Sequence, residues 1–103
     1  MSEFNLGPLS TIPLGEGRVF LVDGVSVSVF RTRAEQLYAV QAACPHKGGP
    51  LVDGLVGGTT LICPLHGWKF DLTSGQALFG DCGVKTFPVR VDEAEQTILL
   101  QLD

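Results

Sequence analysis

Val25, Val27 and Val29 alternate with Ser26 and Ser28, a period of two that predicts a half-buried strand with its valines in the core. Asp23-Gly24 just before them suits a two-residue hairpin turn, which pairs that strand with residues 18–22. Residues 37–41 form a further apolar run. Gly57-Gly58 separates residues 55–56 from 59–62 and predicts a second hairpin. Residues 69–72 read as a short strand ending at Thr73-Ser74-Gly75, and runs at 85–91 and 97–102 close the chain across a turn at 92–96. No stretch carries a helical period. The expectation is an all-β chain with many turns, a compact sandwich or barrel.

Composition narrows this picture. With 103 residues the chain is sized for one small domain, spanning 1–103, with little spare core. Apolar residues make up 45% and charged residues 17%, which suits a folded globular chain and not a disordered one. The net charge is −4, and the seven Lys and Arg are scattered, so nucleic acid is not an expected partner. An acidic surface would instead steer the chain toward a basic patch on another protein. The N-terminal residues have no basic and apolar signal-peptide pattern, and no apolar run is long enough for a membrane span. Three cysteines make a disulfide framework a poor reading, and a cytoplasmic setting is expected.

Two short segments concentrate the remaining chemistry. Cys44-Pro45-His46 and Cys63-Pro64-Leu65-His66 use both histidines and two of the three cysteines. Two thiolates and two imidazoles suffice for a [2Fe–2S] centre with one iron on the cysteines and the other on the histidines, the Rieske arrangement. Pro45 and Pro64 fix φ directly after each cysteine, and Gly48, Gly49 and Gly67 after the histidines let the main chain come close. Two thiolates neutralise the +2 charge of an oxidised core, so an added electron takes the site only to −1. Mixed ligation therefore raises the potential to roughly −150 to +300 mV, against about −400 mV for all-cysteine plant-type centres.

The flanking residues extend the match. Cys-Pro-His-Lys-Gly-Gly-Pro-Leu (44–51), Cys-Pro-Leu-His-Gly-Trp-Lys-Phe-Asp-Leu-Thr-Ser-Gly (63–75) and Val-Lys-Thr-Phe-Pro-Val-Arg-Val (84–91) resemble the small subunit of assimilatory NAD(P)H nitrite reductase. The chain is also similar to Rieske-type ferredoxins that serve aromatic-ring dioxygenases. This resemblance implies a β-sandwich base with an inserted cluster-binding subdomain at about 42–70. It also implies one [2Fe–2S] cluster per chain, with Cys44 and Cys63 on the buried iron and His46 and His66 on the exposed one, where electrons leave. A third loop, residues 78–83, would cover the cluster, with Gly80-Asp81-Cys82-Gly83 where many relatives carry proline. Respiratory Rieske proteins add two bridging cysteines and two hydroxyl donors. Gly49, Leu65, Trp68 and Phe70 stand at those positions, which points to the lower part of the potential range.

Other readings compete for the same residues. A structural zinc site would use two cysteines and two histidines, but the one-residue gap in Cys44-Pro45-His46 fits zinc knuckles poorly. A Cys–His nucleophile pair lacks an orienting third group. Lys47 and Lys69 are solvated charges near the ligands and candidate docking residues, Trp68 and Phe70 are expected to pack the second loop, and Cys82 reads as a small buried residue. With both histidines committed, no catalytic site of the chain's own is expected. The expected role is one-electron transfer to or from a redox partner: the large subunit of a nitrite reductase, or alternatively an oxygenase and its reductase. A sensing accessory domain is a third possibility.

Overall fold

The hairpin centred on Asp23-Gly24 is the spine of the computed structural model, which describes residues 2–43, 50–64, 67–79 and 83–102. Asp23 and Gly24 both have positive φ, 51° and 78°, as a type I′ turn requires. The strands run β1 Ser2–Pro8, β2 Glu16–Val22, β3 Val25–Arg31, β4 Leu37–Gln41, β5 Leu55–Gly57 and β6 Thr60–Ile62. They continue with β7 Lys69–Asp71, β8 Ala77–Phe79, β9 Thr86–Phe87, β10 Val89–Asp92 and β11 Thr97–Leu102. Single 3-10 turns lie at Leu9–Thr11 and Leu51–Asp53, and the described residues contain no α-helix. Three antiparallel sheets result, in the orders β1-β11-β10, β2-β3-β4-β9 and β5-β6-β7-β8. The fold is all-β, as the alternation predicts.

Two apolar clusters hold these sheets together. In the first, Val22, Val27, Val29 and Ala39 meet Ile98, Leu100 and Leu102 across the gap between two sheets. In the second, Phe30 and Val40, on the opposite faces of β3 and β4, meet Leu51, Leu61, Cys63, Phe70, Leu72 and Val84. β3 is therefore covered on both faces, and Val27, Ser28, Val29 and Phe30 are all fully buried. Gly17 opposite Phe30 makes room for the ring, since a Cβ there would lie 2.6 Å from Phe30 Cδ1.

The structure corrects three local expectations. Val25 is 41% exposed and not core, because it is the first residue after the turn and lies at the end of the hairpin. The run at 85–91 is not one strand. Pro88 has no N–H to carry a ladder onward, and the chain crosses there from β9, paired with β4, to β10, paired with β11. Residues 78–79 belong to β8 and not to a loop, with Lys69 paired to Phe79. The hairpin about Gly57-Gly58 is found as expected, and the third sheet runs on to residue 79.

The floor formed by the second cluster can be weighed against the hairpin tip. Leu51→Ala should lower stability in chemical denaturation by about 2–5 kcal/mol. Val25→Ala should change it by less than about 0.5 kcal/mol, and similar losses in the two variants would refute this assignment of the core.

Candidate metal centre

Three loops have their feet at this second cluster, and each foot is closed by main-chain pairing. At the first, Ala43 bridges Pro50, and the Leu51 N–H donates to the Ala42 carbonyl at 3.1 Å. At the second, the Cys63 N–H donates to the Trp68 carbonyl at 2.7 Å, while the Gly67 N–H donates back to the Cys63 carbonyl at 3.2 Å. Gly67 takes a φ of 70° to do this. At the third, the Val84 N–H donates to the Gly75 carbonyl at 2.7 Å. Gly75 sits at φ 79°, and a Cβ there would come within 2.2 Å of the Val84 carbonyl oxygen. That foot therefore admits only glycine.

Of the four residues expected to bind iron, Cys63 is within the described structure. It is in no disulfide, is 2% exposed and shares its apolar cluster with Leu51 and Val84, which belong to the feet of the other two loops. Cys44, His46 and His66 lie outside the described residues, as do Lys47, Gly48, Gly49, Leu65, Gly80, Asp81 and Cys82. Among the described residues no three metal-binding side chains gather. Trp68 is half-buried and Phe70 fully buried, their ring centroids 6.5 Å apart, so both pack the second loop onto the floor as expected. Lys69 is exposed on β7. A buried soft donor, its main-chain N–H and carbonyl both engaged in closing its loop, fits an iron–sulfur centre.

A turn not singled out for its bonding in the sequence links the second loop to the third. The Asp71 Oδ1 accepts from the Thr73 hydroxyl at 2.6 Å and from the Thr73 N–H at 2.9 Å. The Gly75 N–H donates to the Asp71 carbonyl at 2.7 Å. The Thr73 hydroxyl, and after it the Thr73 N–H, hold the Asp71 carboxyl below its ordinary value. The Asp-x-Thr spacing was a legible signal for such a turn.

Residues 2–88 match the Rieske [2Fe-2S] domain family, and the chain belongs to it. Its cofactor is a Rieske [2Fe–2S] cluster, and its chemistry is electron transfer. The ferredoxin component of a naphthalene 1,2-dioxygenase system from Pseudomonas aeruginosa is 31% identical over 86 residues, 82% of each chain. A 4beta-methylsterol monooxygenase from Methylococcus capsulatus is 36% identical over 65% of this chain, which spans only 21% of that longer protein. Among solved structures, the carbazole 1,9a-dioxygenase ferredoxin of Nocardioides aromaticivorans superposes with a TM-score of 0.88 at 27% identity, covering both chains fully. A protein described as an NADPH nitrite reductase small subunit gives 0.87 at 26% identity, over 99% of this chain and 100% of the other. A complex of reduced oxygenase and oxidised ferredoxin in carbazole 1,9a-dioxygenase contains a chain matching at 0.82 and 25% identity, over 95% of this chain and 100% of that one. No helix among the described residues is long and apolar enough to cross a membrane.

The turn at Asp71 yields a pH test. Its carboxyl is lowered in the folded state, so its stabilising contribution is present above the unfolded value of about 3.9. That contribution is lost as pH falls through the lower folded value. Thr73→Ala should move the Asp71 titration, followed by carboxyl NMR, upward toward the ordinary value. An unmoved titration would show that the Thr73 hydroxyl is not its cause.

Proposed function

We propose that this protein is a single-domain electron carrier, residues 1–103 with a cluster-binding insert at about 42–70, acting as the small subunit of an NAD(P)H-dependent nitrite reductase. The observation that carries the carrier reading is the convergence of three loop feet on one apolar floor that includes Cys63. The Cys44 and Cys63 thiolates and the His46 and His66 imidazoles would hold the cluster. Bound there, a Rieske cluster takes up and releases one electron at a time. The residues of the chain supply the rest. Pro45 and Pro64 stiffen each loop after its cysteine, while Leu51, Phe70 and Leu72 keep water from the loop feet. With two thiols given to iron, a reducing cytoplasm is the fitting compartment.

The likeness to a nitrite reductase small subunit over both full lengths supports this choice of partner, together with the Val-Lys-Thr-Phe-Pro-Val-Arg-Val segment at 84–91. One observation favours a second reading. The higher sequence identity lies with dioxygenase ferredoxins, which would make the chain a shuttle from a reductase to a ring-hydroxylating oxygenase.

Reconstitution separates the two. Mixed with a flavin- and sirohaem-bearing large subunit, the protein should form a complex stable to gel filtration and restore nitrite-dependent NAD(P)H oxidation. No complex with that subunit, alongside support of product formation by a terminal oxygenase, would establish the second reading and overturn the first.

The ligand assignment has its own test. Cys44→Ser and Cys63→Ser should each abolish the visible absorption and the reduced-state paramagnetic signal of mixed cysteine and histidine ligation, because metal binding and loop folding are coupled. Cys82→Ser should keep both. A colourless Cys82→Ser protein would move that cysteine into the ligand set.

A further inference from the structure

β4 and β9 pair Ala39 with Phe87 and Val40 with Thr86, so the next rung of the ladder joins Gln41 to Lys85. Half of that rung is ordinary: the Gln41 main-chain N–H donates to the Lys85 carbonyl at 2.9 Å. The return bond is not, because the Lys85 N–H donates to the Gln41 side-chain Oε1 at 2.8 Å. The other end of the same amide, Nε2, donates to the Ala43 carbonyl at 2.7 Å. Only one orientation of the amide satisfies both neighbours, since one offers a donor and the other an acceptor.

The positions of those neighbours give the amide its meaning. Ala43 precedes Cys44 and bridges Pro50 at the foot of the first loop. Lys85 follows Val84, whose N–H closes the foot of the third. By taking the Lys85 N–H onto its side chain, Gln41 keeps that donor paired at the point where the two strands part. One side chain thus ties together two loop feet that come from distant parts of the chain.

We infer that Gln41 is a positioning residue for the cluster: its amide ends the β4–β9 ladder at the entry to the first loop and fastens the foot of that loop to the foot of the third. It acts through Ala43 and Lys85 and not by contact with iron. The inference rests on the reading that Cys44 and His46 bind iron, whereas the bridge itself rests on hydrogen bonds alone.

Two variants dissect the bridge in the loaded protein. Gln41→Glu keeps an acceptor for the Lys85 N–H but sets a carboxylate oxygen against the Ala43 carbonyl. Gln41→Met removes both bonds. One intramolecular hydrogen bond corresponds to roughly a fivefold change in a local opening equilibrium. Loss of the cluster to a chelator should therefore be about fivefold faster in Gln41→Glu and faster again in Gln41→Met. The reduced-state paramagnetic spectrum should shift in both. Hydrogen exchange of the peptide holding Lys85, read by mass spectrometry, should quicken chiefly in Gln41→Met.

Ile98→Val is the control, because it trims the other apolar cluster and belongs to neither loop. It should lower stability while leaving chelator loss and spectrum unchanged. The inference is overturned if both Gln41 variants lose iron at the parent rate with the parent spectrum, or if Ile98→Val matches their effects. Should Gln41→Met not fold, Gln41→Glu decides alone. A failure of the ligand reading is distinguishable, since Cys44→Ser would then keep its colour while exchange at Lys85 still reports on the bridge.

Discussion

A metal centre of the kind proposed, with ligands from two loops, requires that the feet of those loops be fixed relative to each other, and one apolar cluster meets that requirement here. Phe30 and Val40 come from the base sheet, Leu51, Cys63 and Val84 from the loop feet, and Leu61, Phe70 and Leu72 from the third sheet and its edge. Ordering a residue costs about 1–2 kcal/mol of main-chain entropy, and a three-residue strand such as β6 or β7 cannot offset this through its own ladder. Burying a Phe or Leu side chain returns about 1.5–3 kcal/mol. The short strands of the third sheet therefore depend on what lies beneath them.

The coupling to the base is built into the register. Along β3, Val27 and Val29 face one cluster and Phe30 the other; along β4, Ala39 and Val40 divide in the same way. The two strands serve as a common wall.

Alternation and turn chemistry made much of the base legible. Asp23-Gly24, the valines of β3, β4 and the Gly57-Gly58 hairpin could all be read in advance. What the pattern could not reveal was what covers each face. Ser28 sits where a half-buried strand would show a polar residue to water, yet it is fully buried because the loop-bearing layer lies over that face. Val25 has the right period and the wrong end of the hairpin. β1 went unread because Phe4 and Leu6 alternate only briefly before Gly7-Pro8, and its stability comes from pairing with β11 at the far end of the chain. Pro88 was visible, but its role as the crossing point between sheets depends on both partner strands.

The candidate site shows the same division. Ligand chemistry is a matter of residue type and spacing, so the paired Cys–His segments and their proline and glycine neighbours nominate a ligand set from sequence alone, of which the structure describes Cys63. The bonds that close the loops obey no local rule. Gln41 is an unremarkable polar residue at a strand end until β9 is laid beside β4, and only then do Lys85 and Ala43 come within reach of one amide. Gly75 reads as an ordinary turn glycine until Val84 arrives to fill the space a Cβ would need. In each case the sequence names the group and the topology supplies its partner. The residues proposed to bind iron are therefore nominated by local sequence, whereas those that hold the loop feet in place become recognisable only once the sheets are assembled.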